Sequence, residues 1–223
     1  MKNFIKFLIV LLICVLLGLW SPWLKLNVSL SDIFGVEKPD KISGLQVYSL
    51  SGEMEVFLDG ESQGTVTPDN SPLVVDAISP GEKSVGLKRV SEVPGAYWEF
   101  NKVITFEENI DVVLSYILGP EEEFSEGNIV SPVVRTDEDY NLKVNLNVKG
   151  VELFLDNVEY VVDGTEFRET ISLDKQHKIR ITKPGLESIE FLILPEDQES
   201  RDQFANYIIN VDVQLMYQPV NVK

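Results

Sequence analysis

One histidine and one cysteine limit the nucleophilic and metal chemistry open to this 223-residue chain. His177 stands in Lys175-Gln176-His177-Lys178-Ile179, and Cys14 lies inside an uncharged apolar run, so the two cannot meet as a Cys/His pair. A Ser-His-Asp arrangement would have to be built on His177, and no serine is assigned to a nucleophile elbow. Zinc requires several histidine or cysteine ligands, which the chain lacks. His177 is read instead as a strand-edge residue aligned with Lys83. The runs Glu121-Glu122-Glu123 and Asp137-Glu138-Asp139 could bind calcium weakly, but no D-x-[DN]-x-[DN]-G loop is present, and a solvated acidic segment is the plainer reading. Paired glycosidase carboxylates would meet only in space and leave no mark in sequence. One aromatic cluster remains. In Tyr97-Trp98-Glu99-Phe100 the alternation turns Trp98 and Phe100 inward and Tyr97 outward, where its ring could stack on a sugar. Tyr97 is the one candidate ligand-binding residue; no catalytic residue, metal ligand or cofactor is assigned.

The elements that must position these residues are repeated. Residues 44–66, GLQVYSLSGEMEVFLDGESQGTV, recur as residues 141–162, NLKVNLNVKGVELFLDNVEYVV. At an offset of 97, Leu45 falls on Leu142, Val47 on Val144, Phe57 on Phe154 and Asp59 on Asp156. A repeat of this kind means one small unit used twice. Within it the apolar period is two, as in Met54, Val56 and Leu58, which is the pattern of a half-buried strand. Phe57 and Phe154 point away from the main face in both copies, which suits a second buried surface or an exposed binding aromatic. Further on, Val85 and Leu87 match Ile179 and Ile181, Pro94-Gly95 matches Pro184-Gly185, and Trp98-Glu99-Phe100 matches Ile189-Glu190-Phe191. The closing strands share Asp-Val-x-Leu at Asp111–Leu114 and Asp212–Leu215. Each unit then holds five to seven short strands, an antiparallel sandwich. A short helix is expected within residues 196–207, after Pro195.

The first unit resembles a PEGA domain, a small β-sandwich module of exported bacterial and archaeal proteins. The resemblance rests on Gly44-Leu45-Gln46-Val47-Tyr48-Ser49, on Val56-Phe57-Leu58-Asp59-Gly60 with Gly64 and Thr67-Pro68, and on Ile78-Ser79-Pro80-Gly81 followed by Val85 and Leu87. Asp59-Gly60 suits a tight turn, Gly64 a bend, and Pro80-Gly81 a turn into the next strand. The family's eponymous P-E-G-A element is absent, with Ser51-Gly52-Glu53-Met54 in its place. In the second copy Gly60 becomes Asn157 and Gly64 becomes Val161. The resemblance implies a fold and a cell-envelope setting, not a reaction.

Residues 7–24, FLIVLLICVLLGLWSPWL, carry no charge. As a helix they would span about 27 Å, close to the roughly 30 Å hydrocarbon core of a bilayer. An uncleaved anchor with Trp20 and Trp23 at the far interface fits better than a cleaved signal peptide, because bulky residues stand where a cleavage site needs small ones. A lipid-modified Cys14 is a third reading, disfavoured by Ile13 before it. Lys2 and Lys6 place the N-terminus in the cytoplasm and the rest outside. Beyond residue 25 stand 16 Lys+Arg against 36 Asp+Glu, a net of −20. Such a surface repels phosphates and excludes nucleic acid as a partner; it also keeps an exported domain soluble. The expected organisation is an all-β chain of two tandem antiparallel sandwiches after one N-terminal transmembrane helix. The helix occupies residues 1–25, a stalk 26–43, the first sandwich 44–118, an acidic linker 119–139, the divergent second sandwich 140–217 and a tail 218–223. Its expected role is non-enzymatic: a membrane-anchored spacer or interaction module facing an unidentified envelope protein or glycan. A cell-wall-binding module is the alternative, and an envelope enzyme the least favoured reading.

Overall fold

Alternating Leu45 and Val47, then Met54 and Val56, do form strands in the computed structural model, which describes residues 42–218. The apolar N-terminal run with Cys14, Trp20 and Trp23, residues 26–41 of the stalk, and residues 219–223 lie outside that range. Among the described residues no helix is long and apolar enough to cross a membrane.

The chain is mostly β. The first half contains β1 (Ser43–Ser49), β2 (Met54–Leu58), β3 (Glu61–Val66), β4 (Leu73–Ile78), β5 (Gly81–Arg89), β6 (Phe100–Phe106) and β7 (Val112–Ile117). After β8 (Glu126–Val134), the second half repeats the order as β9 (Leu142–Leu146), β10 (Val151–Leu155), β11 (Val158–Val162), β12 (Glu166–Glu169), β13 (His177–Thr182), β14 (Ile189–Ile193) and β15 (Tyr207–Gln214). A short helix, α1 (Gln198–Asp202), capped by Asp197 and followed by a 3-10 turn, sits before β15 where a helix was expected. Two four-stranded sheets run β3-β2-β5-β6 and β11-β10-β13-β14. Each covers its own apolar cluster: Leu45, Val56, Leu87 and Leu114 in one, Leu142, Leu153, Ile181 and Val211 in the other.

The other face of both clusters is a single seven-stranded sheet, β12-β9-β15-β8-β7-β1-β4. Its centre is β8, antiparallel to β7 on one side and to β15 on the other. This corrects the expectation for residues 119–139. Six of the seven acids sit toward the two ends of the segment, and between them Glu126–Val134 is a strand buried over its first seven residues, Glu126 included. The described residues 42–218 accordingly fall within one compact unit. Successive side chains of a strand point to opposite faces, and here the two faces have different owners. Ile129 joins the first cluster and Val130 the second. The two four-stranded sheets therefore lie on opposite faces of the shared sheet, and the halves are related by an approximate twofold axis along β8. Pro132, unexpected in a central strand, falls beyond the pairing with β7, which ends at Val130.

Register shows where the repeat alignment slips. Val56 faces Gly64 across an irregularity in the β2–β3 pair, whereas Leu153 faces Tyr160 in an unbroken β10–β11 pair. The first copy thus carries one bulged residue that the second lacks, and Gly64 (φ +127°) corresponds to Tyr160, not Val161. Phe100 faces Leu87 as Ile189 faces Ile181, so Phe100 matches Ile189 and not Phe191. Val112 lies beside Leu45 as Ile209 lies beside Leu142, which moves the Asp-Val-x-Leu match by four residues. The last two slips, of two and four residues, are even, so each kept every side chain on its correct face.

The turn glycine lost from the second copy is a conservative change in backbone terms. Asp59 and Gly60 take φ of +51° and +83°, and Asp156 and Asn157 take +50° and +71°. Both are two-residue hairpin turns with positive φ at each central position, and asparagine is among the residues that tolerate it. Gly81, entering β5, has φ +122° and Pro80 before it is exposed.

Candidate functional site

The repeated turn aspartate anchors a clasp in each half. The Ser84 N–H donates to Asp59 Oδ1 at 2.9 Å, and Lys83 Nζ lies 3.3 Å from Asp59 Oδ2. In the second half the Lys178 N–H donates to Asp156 Oδ1 at 3.0 Å, while His177 Nδ1 lies 2.8 Å from Asp156 Oδ2. His177 thus occupies the place of Lys83, as its alignment implied. It is buried, and its Nε2 faces the Ser172 carbonyl at 2.7 Å. Both ring nitrogens are engaged in holding a hairpin. Burial works to raise the Asp156 carboxyl, but hydrogen bonds from Lys175, the Lys178 backbone and His177 outweigh it and hold the pKa at about 2. A carboxylate depressed in the folded state stabilises fully above its unfolded value and loses that contribution as pH falls through the folded value. Stability is therefore expected to drop between about pH 4 and pH 2. Replacing Asp156 with Asn should remove about 1 kcal/mol at pH 7, an amount reduced for solvent screening, and flatten that acid limb in urea titrations.

One serine does stand in a G-x-S-x-G pattern, within Gly60-Glu61-Ser62-Gln63-Gly64. The structure places it on strand β3, not on a strand-to-helix turn, and Ser62 Oγ donates to Glu55 Oε1 at 2.7 Å. His177 belongs to a different sheet. The elbow context is missing. Tyr97 is half-buried, and the Arg89 guanidinium lies 4.8 Å from its ring centroid. Trp98 packs on the first cluster and meets Phe100 edge-on at 5.9 Å, as expected. Phe57 and Phe154 are half-buried on the outer faces. Phe57 lies across from Gly86, while Phe154 lies across from Arg180, whose guanidinium sits 4.3 Å from the ring centroid. Each aromatic covers its cross-strand neighbour. Among the described residues no group of three or more His, Cys, Asp or Glu is placed to hold a metal ion.

A cleft of about 670 Å³ lies where β14, an edge strand, crosses the half of the shared sheet that its own sheet does not cover. Its floor is Gln46 and Tyr48 of β1, Asp111, Val113 and Ser115 at β7, and Asn128 and Val130 of β8. Its wall is Phe191–Leu194 together with Ser200, Gln203 and Phe204 of the insertion. Arg201, itself buried, holds that insertion by donating to the carbonyls of Leu173 at 3.1 Å and Pro195 at 2.9 Å. Leu194 adopts φ +72°, a conformation rare for an aliphatic residue, and its carbonyl accepts a hydrogen bond from Gln176 at 3.0 Å. On the floor, Gln46 Nε2 donates to Asp111 Oδ2 at 2.9 Å. Asn128 is 3 % exposed overall, and its carboxamide opens onto the cleft without a side-chain hydrogen bond among the described residues. Sequence reading missed this site, because its floor and wall come from separate repeats and meet only through β8.

Glu126, at the start of β8, is buried with Oε2 unpartnered. Burial, with the Glu187 charge second, raises its carboxyl pKa. A raised carboxylate opposes folding once pH exceeds its unfolded value, so acidification into that range relieves the strain. Glu126→Gln is expected to raise stability at pH 7 by about 1 kcal/mol, the low end for a buried unsatisfied group, measured by urea unfolding.

Comparison of the chain with known protein families and with characterised proteins gives no match.

Proposed function

We propose that this chain is a non-enzymatic, membrane-anchored protein that holds two PEGA-like β-sandwich units outside the membrane as a display and recognition body. The observation that carries the reading is β8, a strand with Ile129 in one cluster and Val130 in the other. A spacer or display element needs its units fixed relative to one another, and a central strand shared by both provides that without a flexible joint. The apolar stretch at residues 7–24, flanked by Lys2 and Lys6, supplies the anchor and its orientation. The −17 charge supports a partner that is neutral or basic.

Fractionation of cells expressing the full chain is expected to leave it in the membrane after carbonate washing, with residues beyond 25 open to protease added outside. A soluble mature form starting near Ser21, or protection of those residues from outside protease, would overturn the anchored reading.

A further inference from the structure

The approximate twofold along β8 generates two clefts, and they have diverged. The smaller, about 160 Å³, lies between β6 and the β8–β15 part of the sheet. There Lys102 of β6 reaches Asp212 of β15 at 2.7 Å and bridges wall to floor. Asn145 Nδ2 completes the closure by donating to Asp212 Oδ1 at 2.7 Å and Asn210 Oδ1 at 2.9 Å. Register gives the equivalents of these residues in the larger cleft: Phe191 for Lys102, Ser115 for Asp212 and Tyr48 for Asn145. The ion pair is thus replaced by an aromatic and a hydroxyl, and the cleft stays open.

What the open cleft presents is chemically narrow. Its lining includes Asp111, Glu196 and Asp197 but no lysine or arginine, so anionic ligands are repelled. Four carboxamides line it: Gln46 and Gln176 are partly engaged, with Asp111 and the Leu194 carbonyl, while Asn128 and Gln203 supply groups that donate and accept together, as vicinal hydroxyls do. The rings of Tyr48, Phe191 and Phe204 supply apolar faces. The carboxamide of Asn128 marks the floor: the residue is 3 % exposed overall, yet its amide is open to the cleft and free to hydrogen-bond a ligand. The volume lies in the range of small-ligand clefts.

We propose that this cleft binds a neutral saccharide, with Asn128 hydrogen-bonding its hydroxyls and Tyr48 and Phe191 packing on its ring faces. The biological setting rests on the outward-facing display role, but the binding itself does not. Fractionation and binding can therefore fail separately.

The test is titration of the full chain in detergent with short neutral chito-, cello-, malto- and xylo-oligosaccharides, followed by ligand-observed NMR and calorimetry. Saturable binding of one of these is expected. Asn128→Ala should weaken it at least about tenfold, the loss of one buried hydrogen-bonding group. Gln203→Ala, on the exposed side of the wall, should weaken it by a smaller factor without touching the folded core, and it decides the matter if Asn128→Ala does not fold. Tyr97→Ala, outside the cleft, should leave affinity unchanged. Absence of binding to every sugar overturns the proposal, as does affinity unchanged in both cleft variants. Saturable binding of an extended basic peptide without any sugar binding also overturns it, and assigns the cleft to strand addition on the β14 edge.

Discussion

Gly127→Ala is expected to destabilise the protein by about 3 kcal/mol, the upper end for overpacking a fixed interior. A Cβ at this position would stand 2.3 Å from the Ser115 carbonyl oxygen and 2.5 Å from Tyr116 Cγ. Neither neighbour can yield. The carbonyl belongs to the β7 backbone in the middle of the shared sheet, and the Tyr116 ring is 4 % exposed and packs against Phe100 at 4.7 Å between centroids. The Tyr116 phenol is correspondingly dry, and burial is the main cause that pushes its pKa up from the ordinary tyrosine value. Were Gly127 part of a solvated linker, the same substitution would be neutral or slightly stabilising through the unfolded chain. The sign and size of the change in urea midpoint thus separate the two views of residues 119–139. A variant as stable as wild type would show that β8 does not hold its place in solution.

The same segment shows why some of the fold was legible in sequence and some was not. The strands of each half were readable because one face is buried and the other is wet, which writes period two into the chain. Leu45, Val47, Leu142 and Val144 are all fully buried, as that pattern required. β8 is buried on both faces, so its apolar residues run together as Ile129-Val130 and carry no alternation. The seven acids between Gly119 and Asp139 gave the window the charge of a linker, though most of them flank the strand. Turn chemistry was readable at Asp59-Gly60, and its persistence through Asp156-Asn157 followed from backbone conformation, not residue identity. Slips of two and four residues in the later matches leave no mark in the sequence because alternation repeats at every even offset. The cleft was not readable at all. Tyr97 stands out in the sequence as an aromatic on an outward face, yet Arg89 already lies over its ring. Asn128 carried no signal, because an asparagine in an acidic stretch reads as a turn former until the strand around it is known.

Leu142→Ala, made in the second half, is expected to unfold the first half along with it. Leu142 is fully buried in the second cluster, and truncation of such a leucine costs about 2–5 kcal/mol. The informative readout is Trp98, which packs on the first cluster and is the only tryptophan among the described residues. In a chain with Trp20 and Trp23 changed to Phe, its fluorescence reports the first half alone. Two sandwiches on a flexible joint would unfold independently, and Leu142→Ala would then leave the Trp98 transition where it was. A shared central strand forbids that separation. Unfolding the second half removes β15 from one edge of β8, exposes Val130, and strips the pairs from Tyr207↔Val134 to Gln214↔Gly127. It also frees Lys102 from Asp212, the bridge between β6 and β15. The first half would be left with a half-paired strand whose Ile129 still plugs its own cluster. The Trp98 midpoint is therefore expected to shift down together with the far-UV circular dichroism midpoint, in one coincident transition. Leu45→Ala, the repeat-equivalent change on the other side of the axis, should give a shift of similar size because Leu45 is equally buried. Separate transitions, with Trp98 unmoved by Leu142→Ala, would mean that the halves behave as independent domains and that β8 belongs energetically to only one of them.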